Sequence, residues 1–348
     1  MVRIEPFAGA TFGATVTGAD LERLSGDEWE EIEAAFHEHA LLLFPGQQAM
    51  GARRDGEDGL IRFAARFGDV QNDLPITNID AETGETMKLD EYGIQILRGN
   101  EDWHVDQTFQ RVQAKAGILF AYESPEQGGQ TGFADMRAAY EALDGGLRDQ
   151  VQSLHAFHSL KYSTARRGHF PEQEQQLYDS TGQKIERTSK RDLVPLNGDV
   201  WGNNTAYFRP LVKQHPVTGR PSLLIGRHAF GIPGMSPSES EAFLAALLAD
   251  AVQPPRVCAH QWKAGDMIVY DNRCLLHRAC DYDGEHPRVL RSIRISGDPE
   301  TESSLPPPSS SSELLLEELE RLRVRTPPML SALPYEGWPD EAQPQARL

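Results

Sequence analysis

The feature that most constrains the fold is a series of short apolar runs, each cut off by turn-forming residues before it could complete three helical turns. Ala40-Leu41-Leu42-Leu43-Phe44 stops at Pro45-Gly46, and a second run extends from Ala116 to Tyr122. The turn His215-Pro216-Val217-Thr218-Gly219-Arg220 leads into Ser222-Leu223-Leu224-Ile225, and similar runs follow near 257–262, 267–271 and 288–296. Runs of this length, bounded by Gly, Pro and Asn, read as strands. Further short strands are expected around 2–5, 13–17 and 154–161. Helices punctuate them. Ser25 with Glu28 forms a capping box, followed by Trp29, Ile32 and Phe36 at helical spacing. Other helices are expected at 58–67, closed by Gly68, at 136–143 behind Asp135, and from Ser236-Pro237 to about 251. A strand-rich core with flanking helices predicts a mostly β domain, a sandwich or barrel with helical decoration, rather than a doubly wound parallel sheet.

Two stretches lack pattern. Residues 70–100 are polar and aperiodic, and a loop of that length in a compact domain is usually a functional lid. Residues 162–210 read as an insertion over the site. The division expected from composition is a domain over 1–298 and a tail over 299–348. Pro306-Pro307-Pro308 and Ser309 to Ser312 make a linker there, before an amphipathic helix from Glu313 to about Arg323. Its leucines could pack on the domain or on a second subunit, so a homo-oligomer stays open.

Charge narrows the function. With 34 basic and 52 acidic residues, a net of -18, the chain would be repelled by nucleic acid and by anionic membranes. Cys258, Cys274 and Cys280 are odd in number and include no CxxC pair, which fits reduced thiols better than a disulfide framework. No signal peptide is recognised and no apolar run reaches membrane-spanning length, so the expected location is cytoplasmic.

The chemistry-bearing residues begin at His104-Val105-Asp106. Read as a strand, residues two apart share a face, so an imidazole and a carboxylate project side by side. A late histidine would complete a two-histidine, one-carboxylate triad, and His277 is the candidate. Such a triad leaves positions open on Fe(II), but zinc hydrolases use the same donors, so the triad alone does not name the metal.

Several segments stand in one order along roughly residues 1–300: Gly13-Ala14-x-Val16-x-Gly18-Ala19-Asp20-Leu21, Trp103-His104-x-Asp106, Gly128-Gly129-Gln130-Thr131 and His215-Pro216-x-Thr218-Gly219-Arg220. After them come Gly265-Asp266 to Asp271-Asn272-Arg273, then His277 with Asp281-Tyr282 and Arg288. Together they resemble the taurine and 2,4-dichlorophenoxyacetate dioxygenase family of Fe(II)/2-oxoglutarate enzymes, whose fold is a double-stranded β-helix, the cupin-like jelly roll. The resemblance implies His104, Asp106 and His277 as iron ligands. It also implies Arg288, eleven residues after His277, as the partner of the distal carboxylate of 2-oxoglutarate, with Thr131 adding a hydroxyl. O2 is the other co-substrate, and the expected products are succinate, CO2 and a small molecule oxidised at an unactivated C–H bond.

Strand alternation in Arg288-Val289-Leu290-Arg291-Ser292-Ile293-Arg294-Ile295 supports that anchor. It sets Arg288, Leu290, Ser292 and Arg294 on one face, and Val289, Arg291, Ile293 and Ile295 on the other. The chain departs from its relatives at Ser292, where the founding members carry a second arginine that grips the prime substrate. A hydroxyl cannot replace a guanidinium fork, which argues against taurine and phenoxyacetates. Arg294, one strand repeat further on, could grip a longer acid, and Asn100 matches a substrate-contacting position. His215, Trp103 and Trp262 read as packing or turn residues. The rival readings are a non-catalytic jelly-roll binding module and a zinc hydrolase on a cupin-like barrel.

Overall fold

The computed structural model describes residues 1–54, 57–88, 94, 97–167, 205–308 and 310–324. Strands β1 (Arg3–Pro6), β2 (Ala14–Thr17) and β3 (Leu41–Phe44) precede the two-residue pair β4 (Arg53–Arg54) and β5 (Glu57–Asp58). Then come β6 (Val70–Thr77), β7 (Ala116–Glu123), β8 (Thr131–Asp135), β9 (His155–His158), β10 (Tyr207–Pro210), β11 (Val212–Gln214) and β12 (Pro221–Leu223). The last five are β13 (Ala229–Phe230), β14 (Val257–His260), β15 (Met267–Asp271), β16 (Leu275–Ala279) and β17 (Val289–Ile295). The helices are α1 (Gly26–His39), α2 (Gly59–Phe67), α3 (Met136–Ala142), α4 (Gly145–Ser153), α5 (Leu160–Arg166), α6 (Pro237–Ala251), α7 (Pro299–Glu302) and α8 (Ser311–Val324).

Two sheets make the jelly roll. The larger runs β1-β2-β3-β15-β7-β17-β6, and the smaller β14-β8-β16. Period-two alternation decides what each face of the large sheet covers. Leu42, Phe44, Ile118, Phe120, Met267, Val269, Ile293 and Ile295 turn outward onto Ile32, Phe36, Leu60 and Phe63 of α1 and α2. The residues between them, Leu41, Leu43, Leu119, Ala121, Ile268, Tyr270 and Leu290, turn inward to Phe133, Cys258 and Leu275 of the small sheet. The inner face of β17, with Arg288 directly before its first residue, therefore carries Ser292 and Arg294 into the space between the sheets. Arg291, the polar exception on the outer face, pairs there with Asp73 at 2.6 Å and Asp58 at 2.7 Å.

Three sequence expectations need correction. Residues 70–77, expected as the start of a lid, form β6 and pair with β17 along its whole length. Alternate residues of this edge strand point to solvent and Pro75 interrupts it, so its sequence reads as loop. The insertion expected over 162–210 begins within α5 and ends in β10, and residues 168–204 lie outside the described residues. The run 101–109 is not a strand. It is irregular chain joined to β16 by one antiparallel bridge, His104 to His277.

The tail lies on its own domain. Leu315, Leu319 and Leu322 of α8 are buried with Phe157, Tyr162 and Phe230, and Arg321 pairs with Glu241 at 3.2 Å. Burying a leucine side chain fully contributes about 1.5–3 kcal/mol, enough to fix a short helix. Glu302 of α7 is buried, paired with Lys213, and its carbonyl accepts from Gln113 N–H at 3.1 Å.

Candidate active site

His104 and His277 are 173 positions apart in sequence yet face each other as a reciprocal backbone pair. His104 N–H donates to the His277 carbonyl at 3.0 Å, and His277 N–H returns the bond at 2.9 Å. Their rings lie 4.1 Å apart between centroids. Asp106 is placed by Asn272, whose side chain accepts from Asp106 N–H at 2.8 Å and donates to Asp106 O at 2.9 Å and Ala114 O at 2.7 Å. The donor atoms of His104, Asp106 and His277 all lie within 4.8 Å of one another, and all three residues are buried. Gln107, directly after Asp106, holds φ at 58°, a left-handed conformation that turns the chain away from the site.

Protonation suits a dication. His104 Nδ1 lies 2.8 Å from the Asp102 carbonyl, which can only accept, so Nδ1 carries the proton and Nε2 presents its lone pair. Burial lowers the pKa of His104 to about 4 and pushes His277 well below the usual histidine range. Burial alone would raise Asp106, but Arg294, then His277 and His104, and the Tyr270 hydroxyl hold its carboxyl below the ordinary carboxylate range. Two neutral imidazoles and one carboxylate on one side of a point fit a divalent cation and leave its other side open.

Beside the triad, a cavity of about 40 Å³ is lined by His104, His277, Thr131, Arg288, Arg294 and Asn100, among others. Asn100 and Arg288 also line a neighbouring cavity of about 240 Å³, which adds Asn78 and Tyr282. Arg288 is buried; its Nε donates to Gly129 O at 2.8 Å and its Nη2 to Thr131 Oγ1 at 3.4 Å. Gly128 and Gly129 both hold positive φ, and a Cβ on Gly129 would stand 3.2 Å from Arg288 Cδ, so the glycine pair is what lets the turn cradle the guanidinium. Trp262, read from the sequence as packing, donates its indole N–H to Thr131 Oγ1 at 2.9 Å and so fixes that hydroxyl.

The structure brings His104, Asp106, His277, Thr131, Arg288, Asn100 and Arg294 to one site, with Ser292 on the same strand face. Arg294 is engaged by the triad's own carboxylate, 2.7 Å from Nε and 2.9 Å from Nη2, and it also touches Ser292. Sequence reasoning missed Tyr270, whose hydroxyl donates to Asp106 at 2.5 Å, and Arg227, whose guanidinium lies beside Gly99. No sequence signal marks Arg227, whereas Asn272 stands inside a motif already recognised.

A second group, His37, His215 and Asp271, also brings its donor atoms within 4.8 Å. It is structural. His215 Nδ1 accepts from the backbone of Val217 and Thr218, so Nε2 carries the proton it gives to Asp271 at 2.9 Å, and Arg273 occupies the same carboxylate at 2.8 Å.

Residues 3–294 match the family described as taurine catabolism dioxygenase TauD, TfdA family. The (S)-phenoxypropionate/alpha-ketoglutarate-dioxygenase of Sphingobium herbicidovorans is 43% identical over 298 residues, covering 85% of this chain and 96% of that protein. The protein of the same name from Delftia acidovorans is 44% identical over 304 residues, with the same coverage. Among solved structures, AAD-2 in complex with Mn(II) and N-oxalylglycine superposes with a TM-score of 0.70 at 29% identity, over 88% of this chain and 100% of that one. The jelly roll, the triad and the order of the motifs agree with these likenesses. The chain is a dioxygenase of the taurine catabolism dioxygenase TauD, TfdA family.

Proposed function

We propose that this dioxygenase holds Fe(II) on His104, Asp106 and His277 and binds 2-oxoglutarate through Arg288 and Thr131. With O2 it then oxidises a C–H bond of a small carboxylic acid of the aryloxyalkanoate class. The observation that carries the reading is a single cavity lined by both histidines of the triad and by a buried guanidinium and hydroxyl. A keto diacid needs both features: an open metal face at one end and a bidentate cation at the other. A zinc hydrolase has no use for Arg288, and family membership sets aside the non-catalytic module.

Fe(II), when bound, supplies the site for the keto acid and for oxygen activation. The protein supplies placement. Arg288 and Thr131 orient the distal carboxylate, Tyr270 and Arg294 fix the carboxylate of Asp106, and burial of the three ligands excludes water. The balance is one substrate C–H, one O2 and one 2-oxoglutarate giving one C–OH, one succinate and one CO2.

The substrate class rests on the relatives at 43% and 44% identity, whose names specify phenoxypropionate. Ser292 removes a cation from one position, but it does not make the site neutral. Hydroxylation at the carbon bearing the ether oxygen would give a hemiketal that collapses to a phenol and a keto acid. The test is incubation with Fe(II), 2-oxoglutarate and racemic 2-phenoxypropionate, with phenol and succinate measured together. One-to-one release, lost in His277→Ala, is expected. Succinate without phenol across a panel of aryloxy acids would overturn the substrate class, and no stimulation of succinate release by any small acid would overturn the whole reading.

A further inference from the structure

A cation beside the triad, Arg227, is not used in the assignments above. Arg227 follows Gly226, whose backbone runs against the first ligand: a Cβ on Gly226 would lie 2.9 Å from Trp103 O and 3.3 Å from His104 Cα. Arg227 N–H donates to that same Trp103 carbonyl at 2.9 Å, so its main chain is tied to the residue preceding His104. Nε and Nη1 of its guanidinium are buried without a hydrogen-bond partner among the described residues. Burial lowers its pKa to about 10, which still leaves it charged at neutral pH.

A buried guanidinium with idle donors is unfavourable unless an anion completes it. The nearby acid Asp102 turns its two oxygens to Arg167, at 2.8 and 3.2 Å, and takes no hydrogen bond from Nε or Nη1 of Arg227. Gly99 gives the guanidinium its room: a Cβ there would stand 2.8 Å from Nη1. Gly99 directly precedes Asn100, which lines both cavities. The other arginines lining the two cavities are engaged: Arg294 by Asp106, Arg288 by Gly129 and Thr131, Arg98 by Glu101, and Arg278 over the ring of Trp103.

We propose that Arg227 is the receptor for the carboxylate of the prime substrate, so that the acid is gripped from the Gly99–Arg227 side of the metal centre and not from β17. The assignment rests on the reading that the substrate is a small carboxylic acid. It makes Arg227 a specificity-determining residue and explains how an acid is held where Ser292 stands.

The test is anaerobic calorimetric titration of the Fe(II)- and 2-oxoglutarate-loaded enzyme with 2-phenoxypropionate and with its neutral amide. Arg227→Gln should weaken the acid roughly 100-fold, leave the amide unchanged, and leave 2-oxoglutarate affinity within about twofold. Arg227→Lys should recover part of the loss. Gly99→Ala, which crowds the guanidinium without removing it, should weaken the acid in the same direction, and it keeps the test open should Arg227→Gln fold poorly. Unchanged acid binding in both Arg227→Gln and Gly99→Ala overturns the assignment, as does an equal loss for acid and amide. Failure of the unmodified loaded enzyme to bind the acid overturns the substrate reading instead, and this assignment with it.

Discussion

Asp106 is the residue on which most of the site's polar order converges. Its backbone is clamped by Asn272, and its carboxylate takes Tyr270 and Arg294 while facing both histidines. Outer partners that orient a ligand typically account for 10–100-fold in metal affinity. Asn272→Ala should therefore weaken Fe(II) binding by about that factor, read by anaerobic metal titration, with 2-oxoglutarate affinity of the metal-saturated enzyme little changed; undiminished metal affinity would deny Asn272 its role. The cluster of His104, Asp106 and His277 was legible in the sequence because the residue types and their order are chemically restrictive, and so was the place of Arg288 beside it. Arg227 was not, because an arginine's partner, or its lack of one, is a property of the folded chain. Arg294 was legible only as a choice between roles, and in the structure its guanidinium pairs with Asp106.

At the scale of elements, alternation served well wherever a strand is buried on both faces. The eight residues from Arg288 sort as that rule requires, including Arg291 on the outer face against Asp58 and Asp73. The same rule failed for β6, an edge strand with Pro75 and solvent-facing polar side chains. It also failed for the run holding His104 and Asp106, where one bridge and a side-chain clamp replace a ladder. For α8 the leucine spacing marks an amphipathic helix without naming its partner; the structure places Leu319 in a cluster with Phe157, Tyr162 and Phe230. Leu319→Ala should cost about 2–4 kcal/mol, read as a lower urea midpoint with an unchanged slope. A variant as stable as the parent would mean that α8 does not hold this position in solution.

Across the whole molecule, the acid limb of stability should follow buried histidine. His158 lies between β10 and β13 with neither ring nitrogen hydrogen-bonded among the described residues, and burial, then Arg209, push its pKa well below the ordinary value. The unfolded chain takes up this proton near pH 6.5, while the folded chain refuses it until far lower pH. Its contribution is whole above about pH 6.5 and is lost as the pH falls, at up to about 1.4 kcal/mol per pH unit. His158→Leu should flatten the stability curve between pH 6.5 and 5, measured by denaturant unfolding; an unchanged slope would show that this ring is not held neutral. The net charge of -18 adds no specificity of its own, and the site's cations stand out against it.

The most direct test of the central claim is the visible absorption spectrum of the Fe(II)-loaded protein on anaerobic addition of 2-oxoglutarate. Chelation of ferrous iron by the keto acid should produce a broad metal-to-ligand charge-transfer band. That band should vanish in Asp106→Ala and require far more 2-oxoglutarate in Arg288→Ala. No band in the unmodified protein, or a titration unaffected by the loss of Arg288, would contradict the account.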